Sequence, residues 1–236
     1  MNKSRKAFKM DYIAPVSLWL VVCEYDLPEG HVVEAASVGC NFHDSRLEHH
    51  CESGPILFTS RIHAGVYAHV ANSQGAQNNM HTKGDWRVIP LLDFNLRELV
   101  RVKGGTVRCM LSFAMTMSES GALIVANGAP RVLCAVHSFS IADNVTDNIV
   151  FSFEKPLKTV LNEWAAMGLS AFEDELGEFD GRDPAAIAQA VERAITQAPI
   201  TAPGFDSGAC GVYSPVRGRW FVAADCKVFA IERTLH

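Results

Sequence analysis

The chain has 236 residues, 48% hydrophobic and 20% charged, a balance typical of a globular protein and not of a disordered one. Its formal net charge is −5, although four positive charges lie within the first nine residues (Lys3, Arg5, Lys6 and Lys9). Because the remaining residues are therefore strongly acidic, phosphate backbones repel them, and we expect no direct non-specific nucleic-acid binding.

Residues 1–11 are predicted to be a basic N-terminal tail, followed by a single domain over residues 12–236. The apolar run after the tail, "APVSLWLVVC", is too short to span a bilayer and is rich in β-forming residues, so we expect a first strand and no membrane partner. Seven cysteines are scattered along the chain without a CxxC pair. This odd, dispersed set indicates a reducing compartment, and we expect a cytoplasmic location.

Residues from about 12 to 150 are predicted to form a mainly antiparallel β-sheet. Three turn signals separate β-rich runs: "DLPEG" after the first run, Gly104-Gly105, and Asn127-Gly128, which is the strongest short hairpin dipeptide. Residues 71–85, "ANSQGAQNNMHTKGD", are predicted to be a long polar loop that contacts a partner.

Two amphipathic helices are predicted after the sheet. The first begins near Pro156, and its apolar positions recur at three- and four-residue steps as far as Leu176. The second opens at Asp183-Pro184, a capping residue followed by proline, and must end before Pro199. A final hairpin turns near Arg217-Gly218. Strands, then helices, then a closing hairpin predict an α+β fold and not a doubly wound one.

The stretch "HDSRLEHHCE" combines three histidines, a cysteine and three carboxylates within ten positions. Cys40, His43, His50 and Cys51 resemble two ligand pairs, but the spacer between the pairs is about half the length usual for zinc sites. Neighbouring His50 and Cys51 would also point apart in a strand. We therefore predict a polar loop here, without metal or cofactor.

The stretch "ILFTSRIHAGVYAHVA", residues 56–71, is predicted to be a strand on the basis of alternating residue types. Alternation would place His63 and His69 on one face, together with Arg61 and Tyr67. Such a face could hold an anion and transfer protons, because imidazole titrates near neutral pH. A solvent-facing polar sheet surface is the simpler interpretation, and the two histidines would lie too far apart to act together.

The stretch "AFEDELGEFDGRD", residues 171–183, holds six carboxylates against one arginine, interleaved with two phenylalanines and a leucine. Acid suits the start of the second helix but not the end of the first, because the helix dipole favours anions only at the N-terminus. We therefore predict a docking surface in which carboxylates steer association and aromatic rings anchor it. The predicted partner-binding residues are Phe172, Glu173, Asp174, Glu175, Glu178, Phe179, Asp180 and Asp183.

The leading hypothesis is a non-enzymatic interaction protein that docks onto a basic protein or nucleoprotein complex. One form of it is a mobile-element-encoded inhibitor that competes for the nucleic-acid groove of a host defence complex. Two alternatives remain open. One is a hydrolase that uses His43, His49 or His50 with a metal, or His63 and His69 without one; the other is a structural subunit of a homo-oligomer.

Overall fold

The computed structural model describes residues 11–28, 30–41, 51–77, 85–140, 150–203, 208–223 and 231–233. Within these ranges no helix combines the length and the apolar character that crossing a membrane requires.

The described residues form the following elements, numbered along the chain. The strands are β1 (Asp11–Ile13), β2 (Trp19–Leu27), β3 (Gly30–Ala35), β4 (Ser37–Asn41), β5 (Cys51–Phe58), β6 (Trp86–Pro90), β7 (Thr106–Met117), β8 (Leu123–Ala126), β9 (Ala129–Pro130), β10 (Val132–Ser140), β11 (Val150–Ser152), β12 (Ile200–Thr201), β13 (Ala209–Ser214), β14 (Arg219–Ala223) and β15 (Ile231–Arg233). The helices are α1 (Arg61–Gln77), α2 (Leu96–Val102), α3 (Glu154–Ala166), α4 (Phe172–Asp180) and α5 (Pro184–Gln197), and a 3-10 turn spans Leu91–Asp93.

Strand β7 is the centre of a large mixed sheet. It pairs in parallel with β5 and antiparallel with β10, β13 and β8. Strand β2 pairs antiparallel with β3, β5 and β6, and β4 joins β5 to β15. A separate parallel pair is formed by β1 and β11. Antiparallel pairs predominate and helices accompany the sheet, which confirms the predicted α+β class.

The central strands of the sheet are buried on both faces, which explains the continuous apolar run at the start of β2. Trp19 and Val21 belong to one core, together with residues of α1 and α5, whereas Leu20 and Val22 belong to the other, together with residues of α2 and α3. Successive side chains of a strand point to opposite faces, so a strand covered on both sides must be apolar throughout. Cys109 of β7 lies in the second core, where burial raises the pKa of its thiol to about 12.

Three of the predicted hairpins are confirmed. The "DLPEG" turn joins β2 to β3, and Arg217-Gly218 lies in the turn between β13 and β14. Asn127 and Gly128 join β8 to β9 with φ angles of 53° and 79°. Two successive positive φ angles belong to the tight hairpin turn that Asn-Gly favours.

The predicted strand over residues 56–71 is wrong beyond Phe58, because helix α1 begins at Arg61. The helix extends to Gln77, so residues 71–77 of the predicted polar loop are also helical. Ile62, Val66 and Val70 recur every four residues and all are buried, which fits a helix as well as the alternation had fitted a strand. The Oγ atom of Ser60 accepts a hydrogen bond from the His63 backbone N–H and so caps the first turn.

The predicted hairpin at Gly104-Gly105 is also wrong, because the segment before it is helix α2 and not a strand. Asn95 caps α2 by accepting a hydrogen bond of 3.0 Å from the backbone N–H of Glu98. Gly104 and Gly105 have φ angles of 74° and 89°, and they turn the chain from the end of α2 into β7. Positive φ angles suit the end of a helix as well as a hairpin, so the glycines alone do not distinguish the two.

The first helix predicted after the sheet is divided in two. Gly168, with a φ angle of 78°, lies between the end of α3 and the start of α4 and breaks the helix there. The second predicted helix is confirmed as α5: the side chain of Asp183 accepts a hydrogen bond of 2.9 Å from Ala186 N–H, and Pro184 occupies the first helical position.

Candidate functional site

We call residues 171–183 the acidic junction; it comprises α4 and the turn into α5. Helix α4 is anchored by its apolar face, because Phe172, Leu176 and Phe179 are all buried. The ring of Phe172 packs edge-on against Trp164, with 4.8 Å between ring centroids. Both phenylalanines are therefore occupied in the protein's own core, and the part of the prediction that gave their rings to a partner does not fit this burial.

Glu175 fixes α4 to the hairpin of β13 and β14. Its Oε2 atom accepts a hydrogen bond of 2.5 Å from Ser214, and its Oε1 atom lies 3.2 Å from the guanidinium of Arg217. Ser214 is fully buried, and its hydroxyl oxygen also accepts from the Arg217 backbone N–H. This carboxylate thus has an internal role in holding two elements together.

Asp180 belongs to a small cluster at the end of α4. Its carboxylate accepts a hydrogen bond of 3.3 Å from the indole nitrogen of Trp19, and the guanidinium of Arg61 lies 4.8 Å from the centroid of that indole. Burial raises the pKa of Asp180 to about 6, against the lowering effects of Trp19, Arg61 and Ser17. Asp180 therefore titrates close to neutral pH, which an ordinary surface carboxylate does not.

The remaining carboxylates of the acidic junction face solvent. Asp174 and Glu178 are exposed, Glu173 is half-buried, and Glu178 pairs with Arg182 one turn further along. Since the helix is interrupted at Gly168, residues 173–175 form the first turn of α4 and not the end of a longer helix. Acid there is favoured by the helix dipole, so the expectation of a misplaced charge is corrected for these residues, whereas Glu178 and Asp180 still lie in the last turn of α4.

A second group of polar residues is buried where α1 begins. Thr59, Ser60, His63 and Ser112 are inaccessible to solvent, and Thr59 donates a hydrogen bond of 2.8 Å to the carbonyl of Ser112. Nε2 of His63 accepts a hydrogen bond of 2.9 Å from the backbone N–H of Tyr213, and the imidazole lies parallel to the Trp220 ring at 5.8 Å.

This buried imidazole has the character of a structural acceptor. Desolvation lowers the pKa of His63 to about 3, so the ring is neutral at physiological pH. Nδ1 of His63, Oγ of Ser112 and Oη of Tyr213 find no hydrogen-bond partner within the described ranges. With no access to solvent, His63 cannot exchange protons with a bound substrate in this conformation.

His63 and His69 are not brought together, because six positions along a helix turn the second side chain well away from the first. His69 is exposed on α1, while His63 is enclosed. The cluster from His43 to His50 lies outside the described residues, and so do residues 78–84 of the predicted loop. Among the residues that are described, no three His, Cys, Asp or Glu side chains converge to form a metal site.

The pairings within these clusters carry no signal in the sequence. Trp19 and Asp180 are 161 positions apart, and His63 and Tyr213 are 150 apart. Neither pair belongs to a recognisable motif, so only the folded chain brings them together.

Comparison with known proteins adds no functional assignment. No protein-family model matches the chain, and no curated protein or solved structure matches it significantly.

Proposed function

We propose that this protein is a non-enzymatic binding protein that docks onto a basic macromolecular partner through the acidic junction. The observation that carries the proposal is the division of α4 into two faces. Its apolar face is fixed in the core, and its other face presents carboxylates to solvent.

The anchored face makes the charged face rigid. Phe172, Leu176 and Phe179 pack into the core, and Glu175 ties the helix to the turn after β13. A partner that binds such a helix does not have to order it first, which lowers the entropic cost of association. Glu173 and Asp174 form no ion pair with any residue of the described ranges, so their charges are available to steer an approaching cation.

The partner that fits this surface is rich in lysine or arginine. Close charge pairs across an interface accelerate association and set its orientation, more than they add affinity. A protein that holds nucleic acid carries basic surface of this kind. By competing with nucleic acid for such a surface, the present protein would inhibit its partner. An inhibitor of a host defence complex, encoded by a mobile element, would act in this way.

The test is a triple charge reversal, Glu173→Lys, Asp174→Lys and Glu178→Lys, compared with the unaltered protein. Glu175, Asp180 and Asp183 are left intact because each has an internal hydrogen bond that the fold uses. Proteins captured from the native host by the unaltered chain are identified by mass spectrometry, and the recovered partner is titrated against both variants at several salt concentrations. We expect the reversal to weaken binding at least about tenfold at low salt and to flatten its salt dependence.

A matched control reverses three exposed carboxylates elsewhere, at Asp93, Glu119 and Glu192. It changes the net charge by the same amount and should leave binding within about twofold of the unaltered protein. Equal losses in both triple variants would mean that net charge and not the acidic junction attracts the partner, and the proposal would then be abandoned.

A further inference from the structure

A groove of about 620 Å³ lies between strand β3, helix α2 and the beginning of β7. It is far along the chain from the acidic junction and shares none of its residues. Its volume is within the range of roughly 300–1,000 Å³ that is usual for ligand sites.

The groove runs along the edge of β3. Four consecutive residues, 32–35, line it. Because side chains alternate between the two faces of a strand, four in a row can line one groove only where it follows the strand's edge, at which backbone N–H and C=O groups point outward. Strand β3 pairs with β2, and no second strand pairs with it within the part of the chain that is described.

The opposite wall is made by α2 and by the first residues of β7. Residues 106–108 line the groove, and the pairing of β7 with β5 starts only at Met110. Gly54 also lines the groove, and it approaches the carbonyl oxygen of Arg108 so closely that a Cβ atom there would collide with it. The groove is therefore a slot between an edge strand and a helix.

The lining combines apolar walls with a cation at the rim. Phe94, Leu99 and Val107 supply apolar surface, and Val33 is 42% exposed on the strand side. Lys103, at the end of α2, is exposed and forms no ion pair with the described residues. Glu34 lies across the groove and accepts a hydrogen bond of 2.9 Å from Tyr25.

We propose that this groove binds a peptide segment in extended conformation, which adds as a strand to the edge of β3. The backbone of the peptide would hydrogen-bond the outward N–H and C=O groups of β3, and an apolar side chain would pack against Leu99 and Phe94. An acidic side chain of the peptide would pair with Lys103 at the rim. Edge strands with open backbone groups are natural templates for such pairing, and the apolar walls favour a peptide over water.

The residue pattern of the peptide follows from the alternation of side chains along an added strand. Residues at every second position of an added strand would face Leu99 and Phe94, and those between them would face solvent. The recognised segment is therefore one with apolar residues at alternate positions and one carboxylate placed to reach Lys103.

The experiment selects peptides from a random phage-displayed library on the full-length protein, and then measures the affinity of the synthetic peptides by fluorescence anisotropy. We expect the enriched peptides to have alternating apolar residues and an acidic residue. Lys103→Glu and Val33→Asp, both at exposed positions, should each weaken binding at least tenfold, which corresponds to about 1.4 kcal/mol. Lys158→Glu, an exposed lysine of α3, is the matched control and should have no effect.

Hydrogen exchange then locates the bound peptide. Slower exchange of the backbone amides of residues 30–35 on peptide addition supports strand addition. The proposal is overturned if no peptide is enriched, if the groove variants bind as tightly as the control, or if protection appears elsewhere. The triple reversal in the acidic junction should leave peptide binding unchanged, so this inference and the proposed function fail independently.

Discussion

The backbone N–H of Tyr213 donates a hydrogen bond of 2.9 Å to Nε2 of His63, and both residues are fully buried. The bond joins the first turn of α1 to the end of β13. An accepting Nε2 atom places the proton of the neutral ring on Nδ1. Protonation of His63 would place a hydrogen on Nε2, facing the N–H hydrogen of Tyr213. Protonation must therefore break this hydrogen bond.

Stability should therefore fall in acid. Desolvation lowers the pKa of His63 from 6.5 to about 3, so the unfolded chain binds a proton at a pH at which the folded chain does not. The contribution of this residue is fully present above about pH 6.5 and declines as the pH falls towards 3, by several kcal/mol in total. His63→Gln removes the titration, and the free energy of unfolding, measured by urea denaturation, should then depend less steeply on pH within this window.

His69→Gln provides the comparison, because that histidine is exposed on the same helix. It should retain the pH dependence of the unaltered protein. A steep acid dependence that persists in His63→Gln would show that other groups, and not the buried imidazole, are responsible.

Asp180 should act in the opposite direction. Burial raises its pKa from 3.8 to about 6, so folding favours the protonated carboxyl. The associated stability is fully present below about pH 3.8 and is lost as the pH rises through 6. Asp180→Asn keeps an oxygen that can accept from Trp19 and removes the charge. The variant should therefore melt at a higher temperature than the unaltered protein at pH 7.5, and the difference between the two should be smaller at pH 5.

Tryptophan fluorescence offers an independent measurement, since the indole of Trp19 donates directly to Asp180. A transition near pH 6 is expected in the unaltered protein and should disappear in Asp180→Asn. Asp174→Asn, which alters an exposed carboxylate of the same helix, should leave the transition in place. If Asp174→Asn shifts it as much as Asp180→Asn does, the assignment to Asp180 is wrong.

Gly65 determines how closely α1 and α5 can pack. A Cβ atom at this position would lie 2.5 Å from Cγ2 of Val191. Gly65→Ala should therefore destabilise the protein by about 1–3 kcal/mol, although alanine is the better helix former. The double variant with Val191→Ala should recover much of the loss, as measured by chemical denaturation.

Gly177 provides the reference for helix propensity alone. It lies in α4, and a Cβ atom there would have nothing within 4 Å. Gly177→Ala should stabilise the protein by about 0.5–1 kcal/mol. A similar gain from Gly65→Ala would contradict the close approach of the two helices.

Local signals in the sequence predicted the elements that local chemistry decides. The turn at Asn127-Gly128 and the start of α5 at Asp183-Pro184 each depend on residues within four positions of one another. Asn95 and Glu98, three positions apart, held an equally local signal for the start of α2. The β-rich composition around Gly104-Gly105 favours a strand over the same residues, so two local signals compete there and only the packed chain decides for the helix.

The chain by itself determined the class of the fold, since β-rich runs separated by turn signals predict strands, and capped periodic segments after them predict helices. Only the tertiary structure decided between helix and strand for residues 61–77, because Ile62, Val66 and Val70 satisfy both periods. The helix is fixed by contacts such as that of Gly65 with Val191, and these two residues are far apart in the sequence. The tertiary structure also decided which carboxylates of the acidic junction face solvent. Glu175 and Asp180 have partners more than thirty positions away, and no local pattern encodes contacts of that separation.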